Sequence, residues 1–325
     1  MLYKEAGVDI NRLSLIKEFI KKEAKKTKTP FVLSDIGLFG SLFELKGYKN
    51  PVIVGSVDGV GTKILIACQM NKHKGIGEDI VNHCVNDILT IGAKPLFFLD
   101  YIAFSEIEEK VIKEVITGIR KACKYNNLAL VGGELAQMPD FYPKGAYDLV
   151  GFIIGVCEKR DIIDGRKIKE GDIILGLPSS GLHTNGYSLV RKIFKEYNIK
   201  IEGLKRKLGE ELLIPHKSYL KDISPYLKEI KGIAHITGGG FYENIKRILP
   251  KGLSCVIEKR SWQIPKIFQV IQKYGNIPEE EMYRVFNMGI GIVLIVKENS
   301  KVIEKIKKAR VIGKIVRGNF GVKIV

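Results

Sequence analysis

Apolar residues recur at helical spacing near the start of the chain: Ile10, Leu13, Ile16, Phe19 and Ile20 share one stripe and predict an amphipathic helix over residues 10–26. Two glycines then interrupt the pattern in Ile36-Gly37-Leu38-Phe39-Gly40. Residues 51–57 read as a strand. Residues 78–91 read as a helix with Ile80, Val81, Cys84, Val85, Ile88 and Leu89 on its inner side, closed by Gly92 in the position of a C-terminal cap. Residues 95–104 are strand-like. Ser105 followed by Glu108 has the form of a capping box, opening a helix with the stripe Ile107, Val111, Val115, Ile119 and Ala122. Short branched-residue runs at 128–131 and 148–156 predict two more strands.

Charges and a turn gather at 159–167, and the alternation restarts beyond them: strands at 172–177, 253–257, 290–296 and 311–316, and helices at 186–197, 241–249, 265–274 and 301–309. The expectation is an α/β (α+β) fold of two α/β domains, residues 1–166 and 167–325. Strand order and direction are beyond what periodicity gives. A length of 325 residues with 45% hydrophobic content is enough for two cores.

Charge adds a second reading. Lys and Arg number 53 against 36 Asp and Glu, a net +17, which invites nucleic acid as a partner. The basic residues are spread along the chain, however, and their modest concentrations are broken by acids or by apolar residues at helical spacing, as on solvated helix faces. Phe97, Phe98 and Tyr101 lie in an apolar strand and read as core, unlike the base-stacking aromatics of RNA-binding sheets. A positive field also suits an enzyme of phosphorylated substrates. The five cysteines are far apart without a CxxC pair, which fits a reducing cytoplasm. No apolar run approaches the ~18 residues of a membrane span, so no membrane association is expected.

The chemistry gathers where strands meet glycines. Asp58-Gly59-Val60-Gly61-Thr62-Lys63 matches neither a P-loop nor a dinucleotide fingerprint, yet it sets an acid, two glycines and a lysine beside a strand. Backbone N–H groups freed by glycine, the Lys63 charge and the Asp58 carboxylate suit an anion with a metal ion; a plain tight turn accounts for the same residues. The polar face of the 78–91 helix carries Asp79, His83, Asn86, Asp87 and Thr90, where Asn86-Asp87 beside Asp58 can share magnesium and His83 reads as a structural hydrogen-bonder. Asp58, Asp100 and the Glu134 of Gly132-Gly133-Glu134 form a recurring set of strand-end acids. In the second half, Ser179 to Gly186 and His235-Ile236-Thr237-Gly238-Gly239-Gly240 each precede a helix, as anion-binding loops do, and place His183 and His235 where each can move a proton, hold an anion, or serve as an ordinary loop histidine.

Taken in order, Tyr3 to Asp9, Asp58 to Lys63, Val85-Asn86-Asp87, Pro95 to Tyr101, Gly132-Gly133-Glu134, Ser179 to Ser188 and His235 to Phe241 resemble the phosphoribosylformylglycinamidine cyclo-ligase (AIR synthetase) family over most of the chain. The resemblance implies an ATP-dependent ligase of purine biosynthesis that closes formylglycinamidine ribonucleotide to aminoimidazole ribonucleotide, with ATP and Mg²⁺ as cofactors, acting in the cytoplasm on small-molecule substrates. It further implies a homodimer formed by the N-terminal, ATP-binding domain.

By the same resemblance Gly37, Gly40, Asp58, Gly59, Gly61, Thr62, Lys63, Asn86, Asp87, Gly132, Gly133 and Glu134 bind the nucleotide, with Asp58, Asp87 and Glu134 on the metal and Lys63 facing phosphate. Ser180, His183, Thr184, Asn185, Thr237, Gly238, Gly239 and Gly240 then face the substrate, with His183, His235 and Lys63 in catalytic roles. Leu135 and Gln137 stand where the family usually has threonine and glutamate, and Leu182 and Thr184 vary a stretch often read as proline and serine around a histidine. Sister enzymes, among them selenophosphate synthetases, thiamine-phosphate kinases and hydrogenase-maturation proteins, share the Asp58–Lys63 turn. The selenium enzymes usually carry a reactive residue near the N-terminus, whereas the first cysteine here, Cys68, follows the turn.

Overall fold

The structure, a computed structural model, describes residues 5, 7, 9–106 and 108–325. Most of the Tyr3 to Asp9 motif, the Ile10 side chain and Ile107 of the predicted stripe lie outside that description. The chain separates into two compact units, residues 1–88 with 94–158, and residues 89–93 with 159–325.

The first unit contains helices α1 (Ile10–Lys25), α2 (Lys63–Met70), α3 (Lys74–Leu89) and α4 (Glu109–Tyr125) and strands β1 (Pro51–Gly59), β2 (Lys94–Phe104), β3 (Ala129–Gln137) and β4 (Tyr147–Glu158). Its sheet runs β1-β4-β2-β3. Only β2 and β3 are parallel, because α4 carries the chain across between them. The capping box does not form. Glu108 is the N-cap without a side-chain bond, and the buried Ser105 hydroxyl instead accepts the Asp140 N–H.

Glycine decides how closely the layers approach. A Cβ on Gly77 would lie 2.0 Å from the Val115 carbonyl oxygen, and one on Gly118 would lie 2.0 Å from that of Lys74, so α3 and α4 touch backbone to backbone at this pair. Against the sheet, a Cβ on Gly151 would meet Ile80 at 2.7 Å and Phe98 at 2.4 Å, which brings α3 down onto β4. The other face of the sheet is open at Ile53 and Val57, each 55% exposed, and at Phe152, 43% exposed. Val57 and Phe152 are cross-strand partners, so these two exposed side chains adjoin.

The second unit is a six-stranded sheet in the order β10-β7-β9-β5-β8-β6, from β5 (Ile173–Pro178), β6 (Ile230–His235), β7 (Leu253–Ile257), β8 (Ile290–Val296), β9 (Arg310–Arg317) and β10 (Val322–Ile324). Every residue of β8 is buried, and its Ile292 and Leu294 build the core with Leu175, Leu177 and Ile233. Around it lie α5 (Tyr187–Ile193), α6 (Leu208–Leu212), α7 (Leu220–Ile223), α8 (Gly240–Lys246), α9 (Lys266–Gly275), α10 (Glu279–Val285) and α11 (Val302–Lys305). Three predicted helices are shorter than expected. The 186–197 helix stops before Phe194, whose extended backbone lets its ring pack on Tyr274, and the 301–309 helix ends as Ile306 and Ala309 turn into the core. The 241–249 helix ends at Lys246.

Replacing Gly118 by alanine forces a methyl against the Lys74 carbonyl. A loss of ~1–3 kcal/mol of unfolding free energy is expected in urea denaturation.

Candidate active site

The turn after β1 is tied to one stripe of α3. Asp79, His83 and Asp87 are spaced by four residues and therefore line up along the helix. Lys63 Nζ lies 2.9 Å from Asp79 Oδ1, with both side chains fully buried. His83 Nε2 lies 2.9 Å from Asp58 Oδ2 and 3.6 Å from Asp87 Oδ2, and the Ser56 hydroxyl donates to that same Asp87 oxygen at 3.4 Å. Residues 56, 58 and 63 thus meet 87, 83 and 79 in reverse order, like the rungs of a ladder. Burial by itself lowers the His83 pKa, but the Asp58 hydrogen bond and the charges of Asp87, Asp58 and Asp79 outweigh it and hold the imidazolium above its ordinary value. Burial pushes the Lys63 ammonium down, against the pull of Asp79.

Lys63 is the residue that the resemblance turned toward phosphate. The structure places it inside the unit instead, because an ammonium enclosed by the turn and α3 requires a counter-charge there. Asn86 is fully buried on the same helix, Thr62 immediately precedes α2, and Gly61 takes the left-handed conformation at φ +68° that the turn requires. The Gly59 N–H is held by its own neighbour, Asp58 Oδ1, at 2.6 Å.

The acids expected at strand ends are better placed than that. β3 runs through Gly132-Gly133-Glu134, and Asp100 lies in the middle of β2, so ladder pairing continues past both glycines. Asp58, Gly151, Asp100 and Gly133 form one register row across the sheet. Glu134 follows one residue later, so strand alternation turns its side chain to the opposite face. The structure does not gather Glu134 with Asp58 and Asp87 into a three-ligand group. Glu134 instead lines a cavity of about 320 Å³ with Gly132, Gly133, Asp100, Gly37, Lys17 and Lys21, while Gly40 lies in open space. Burial raises the Asp100 carboxyl to about 7, and the absence of a side chain on Gly133 makes room for it, since a Cβ there would meet Asp100 Oδ1 at 2.6 Å.

In the second unit two loops come together. Ser179 to Gly186 leaves β5 with Gly181 at φ +152° and His183 itself left-handed at φ +63°, a conformation uncommon for a residue with a side chain. The Ser180 N–H donates to His183 Nε2 at 3.2 Å. Asn287, which sequence reasoning did not single out, holds the loop by accepting from the Ser179 hydroxyl at 3.0 Å and donating to the Gly181 carbonyl at 2.9 Å. The second loop, Thr237 to Gly240, is held from within by Asn244 Nδ2, which donates to the carbonyls of Gly238 at 3.1 Å and Gly240 at 2.8 Å. The loops nearly touch, since a Cβ on Gly238 would lie 3.3 Å from Asn185 Oδ1, and Asn185 Nδ2 is buried with no protein acceptor. Such an amide is satisfied by a ligand or water. Sequence reasoning also missed His216, whose Nε2 lies 3.0 Å from His235 Nε2 and whose ring stacks on His183 with centroids 3.9 Å apart.

Comparison with known proteins places this arrangement. Residues 44–157 match the AIR synthase related protein, N-terminal domain, and residues 169–325 the AIR synthase related protein, C-terminal domain. The chain is 55% identical to the phosphoribosylformylglycinamidine cyclo-ligase of Thermoanaerobacter pseudethanolicus, with 99% of each chain covered. It is 49% identical to that of Pseudothermotoga lettingae and 47% identical to that of Clostridium botulinum, again over 99% of both chains. The chain belongs to the AIR synthase family.

Two solved structures share the AIR synthase fold at low identity. Thiamine-monophosphate kinase from Stenotrophomonas maltophilia superposes with a TM-score of 0.70 at 13% identity, covering 93% of this chain and 94% of its own. HypE from E. coli superposes with a TM-score of 0.70 at 15% identity, covering 96% and 93%. The two AIR synthase domains are therefore mixed sheets with flanking helices, as expected for the family. No helix among the described residues is long and apolar enough to cross a membrane.

Two substitutions test the electrostatics. Lys63→Met takes the ammonium away from the buried Asp79 charge and should cost ~3–5 kcal/mol in urea denaturation, most of it recovered in the Lys63→Met/Asp79→Leu double variant. The Asp100 contribution to stability is whole below the ordinary carboxylate pKa and is lost as the pH rises through about 7. Asp100→Asn should therefore match the wild type in acid and exceed it in alkali by on the order of 2–4 kcal/mol, read from melts across the pH range.

Proposed function

We propose that the protein performs the family's reaction, the ATP-dependent closure of formylglycinamidine ribonucleotide to 5-aminoimidazole ribonucleotide with release of ADP and phosphate, the fifth step of de novo purine synthesis. The formamide oxygen attacks the γ-phosphoryl group and ADP leaves. The amidine nitrogen then attacks the activated carbon, and phosphate departs with the former formamide oxygen while the ring nitrogen gives up its proton. An amide oxygen is a poor leaving group until it is phosphorylated, so the protein contributes chiefly by positioning and by neutralising charge.

The observation that carries this reading is the convergence of Asp58 Oδ2 and Asp87 Oδ2 on the single nitrogen of His83. Two carboxylates brought this close supply the hard oxygen donors that Mg²⁺ prefers, with phosphate oxygens and water completing its shell. Asp58 and Asp87 would hold the ion, which when bound neutralises phosphate charge. Gly132, Gly133, Glu134 and Gly37 line the neighbouring cavity for the nucleotide, and Gly40, Gly59, Gly61, Thr62 and Asn86 complete its surroundings. Glu134 serves the nucleotide side of that cavity.

On the substrate side, the orphaned Asn185 amide and the close approach of Gly238 support the assignment of Ser180, Thr184, Asn185, Thr237, Gly238, Gly239 and Gly240 to ribonucleotide binding. His183 and His235 stand as the groups that handle protons. The protein acts in the cytoplasm on small molecules, and the exposed patch of Ile53, Val57 and Phe152 favours a homodimer through the N-terminal sheet. Residues 1–166 carry ATP and the dimer contact, and residues 167–325 carry the substrate loops.

The purified protein should release ADP from Mg-ATP only when formylglycinamidine ribonucleotide is present, with aminoimidazole ribonucleotide formed in equal amount. ADP release that ignores this substrate would sink the proposal. Asp58→Asn should raise the Mg²⁺ concentration for half-maximal rate by on the order of 10–100-fold.

A further inference from the structure

The segment between α6 and α7 belongs to no motif, yet it touches both the His183 loop and His235 at the end of β6. The Ser180 hydroxyl donates to the Pro215 carbonyl at 2.6 Å, and the Tyr219 hydroxyl donates to the Pro178 carbonyl at 3.0 Å, so the segment is pinned on either side of His216, to the His183 loop and to the end of β5. His216 is 1% exposed and reaches the His183 loop and the end of β6 at once. Its Nδ1 lies 3.4 Å from Thr184 Oγ1, its ring stacks on His183, and its Nε2 lies 3.0 Å from His235 Nε2.

We propose that His216 is a positioning residue for the ring-closing reaction, fixing the separation of His183, which sits on a glycine loop, and His235, which ends β6. The inference rests on the functional reading above. Two imidazole nitrogens 3.0 Å apart form one N–H···N hydrogen bond, in which one ring donates and the other accepts. That bond orients the His235 ring from behind, while the stack holds His183 flat against the same support. Glycines make the His183 loop pliable, and His216 ties it to the end of the paired strand β6, supplying rigidity that the loop backbone lacks.

Three buried imidazoles with ring nitrogens within 4.8 Å of one another also have the composition of a transition-metal site. The Ser180 N–H bond to His183 Nε2 favours the positioning role, because an accepting Nε2 puts the neutral ring's proton on Nδ1 and leaves neither nitrogen an open lone pair.

The test compares His216→Ala, His216→Asn and His216→Gln for kcat, for both KM values and for melting temperature. A glutamine amide reaches about as far as Nε2 and can restore the link to His235, whereas an asparagine amide reaches only as far as Nδ1. The alanine and asparagine variants should lose on the order of 10–100-fold in kcat, glutamine should recover most of it, and the KM for ATP should stay within about twofold throughout. If the alanine variant does not fold, the comparison of glutamine with asparagine still decides.

A wild-type kcat in His216→Ala, equal activity of the asparagine and glutamine variants, or a kcat that falls only as far as the melting temperature does would overturn the proposal. So would stoichiometric zinc, nickel or cobalt in the tag-free wild-type protein that is absent from His216→Gln, which would make His216 a ligand. The ¹⁵N shift of the His235 ring, compared between wild type and His216→Ala, reads the contact without turnover. A wild-type protein that forms no aminoimidazole ribonucleotide but shows that shift change would therefore count against the reaction and not against the contact.

Discussion

The buried ion pair between Lys63 and Asp79 fixes the turn that follows β1. With neither side chain exposed, each charge is compensated by the other and not by water, and separating them would leave a poorly compensated charge in the interior. The pair therefore anchors the start of α2 to the first turns of α3. Once that point is fixed, the four-residue spacing of α3 brings His83 to Asp58 and Asp87 to Ser56. The carboxylate pair assigned to magnesium is thus a consequence of an interaction that touches no ligand.

The same logic of fixed support runs through the second unit. The two glycine loops are bound to the fold by side chains outside their own motifs: Asn287 and the 215–219 segment for the His183 loop, and Asn244 for the loop after His235. Glycine lets these backbones turn tightly and approach one another, and the amides and His216 remove the freedom that glycine leaves. The left-handed backbone of His183 is a strained choice that the surrounding bonds sustain.

Apolar periodicity located most of the regular elements because burial repeats with the geometry of helix and strand. It failed where position in the sheet mattered more than local pattern. Gly132-Gly133-Glu134 reads as the end of a strand, since glycine weakens strand propensity, yet pairing with β2 carries β3 through it and turns Glu134 away from Asp58 and Asp87. Ser105 and Glu108 have capping-box spacing, but Ser105 is buried beneath Asp140 and spends its hydroxyl there. Asp79 lies on the polar face of its helix in the sequence yet is buried, because Lys63 of the turn after β1 meets it, whereas His83, read as a structural hydrogen-bonder, does meet Asp58.

The sequence by itself determined the family, the two-part organisation, and the presence of an acidic turn and two glycine loops with histidines, because these are runs of adjacent residues whose chemistry and spacing can be read without coordinates. The tertiary structure alone decided that Lys63 faces Asp79, that Asp100 is buried beside Gly133 with a raised pKa, and that His216 joins His183 to His235. Those facts depend on which distant segments share an environment, and the partner of a charge or a ring nitrogen is set by packing across the fold and leaves no local spacing to read.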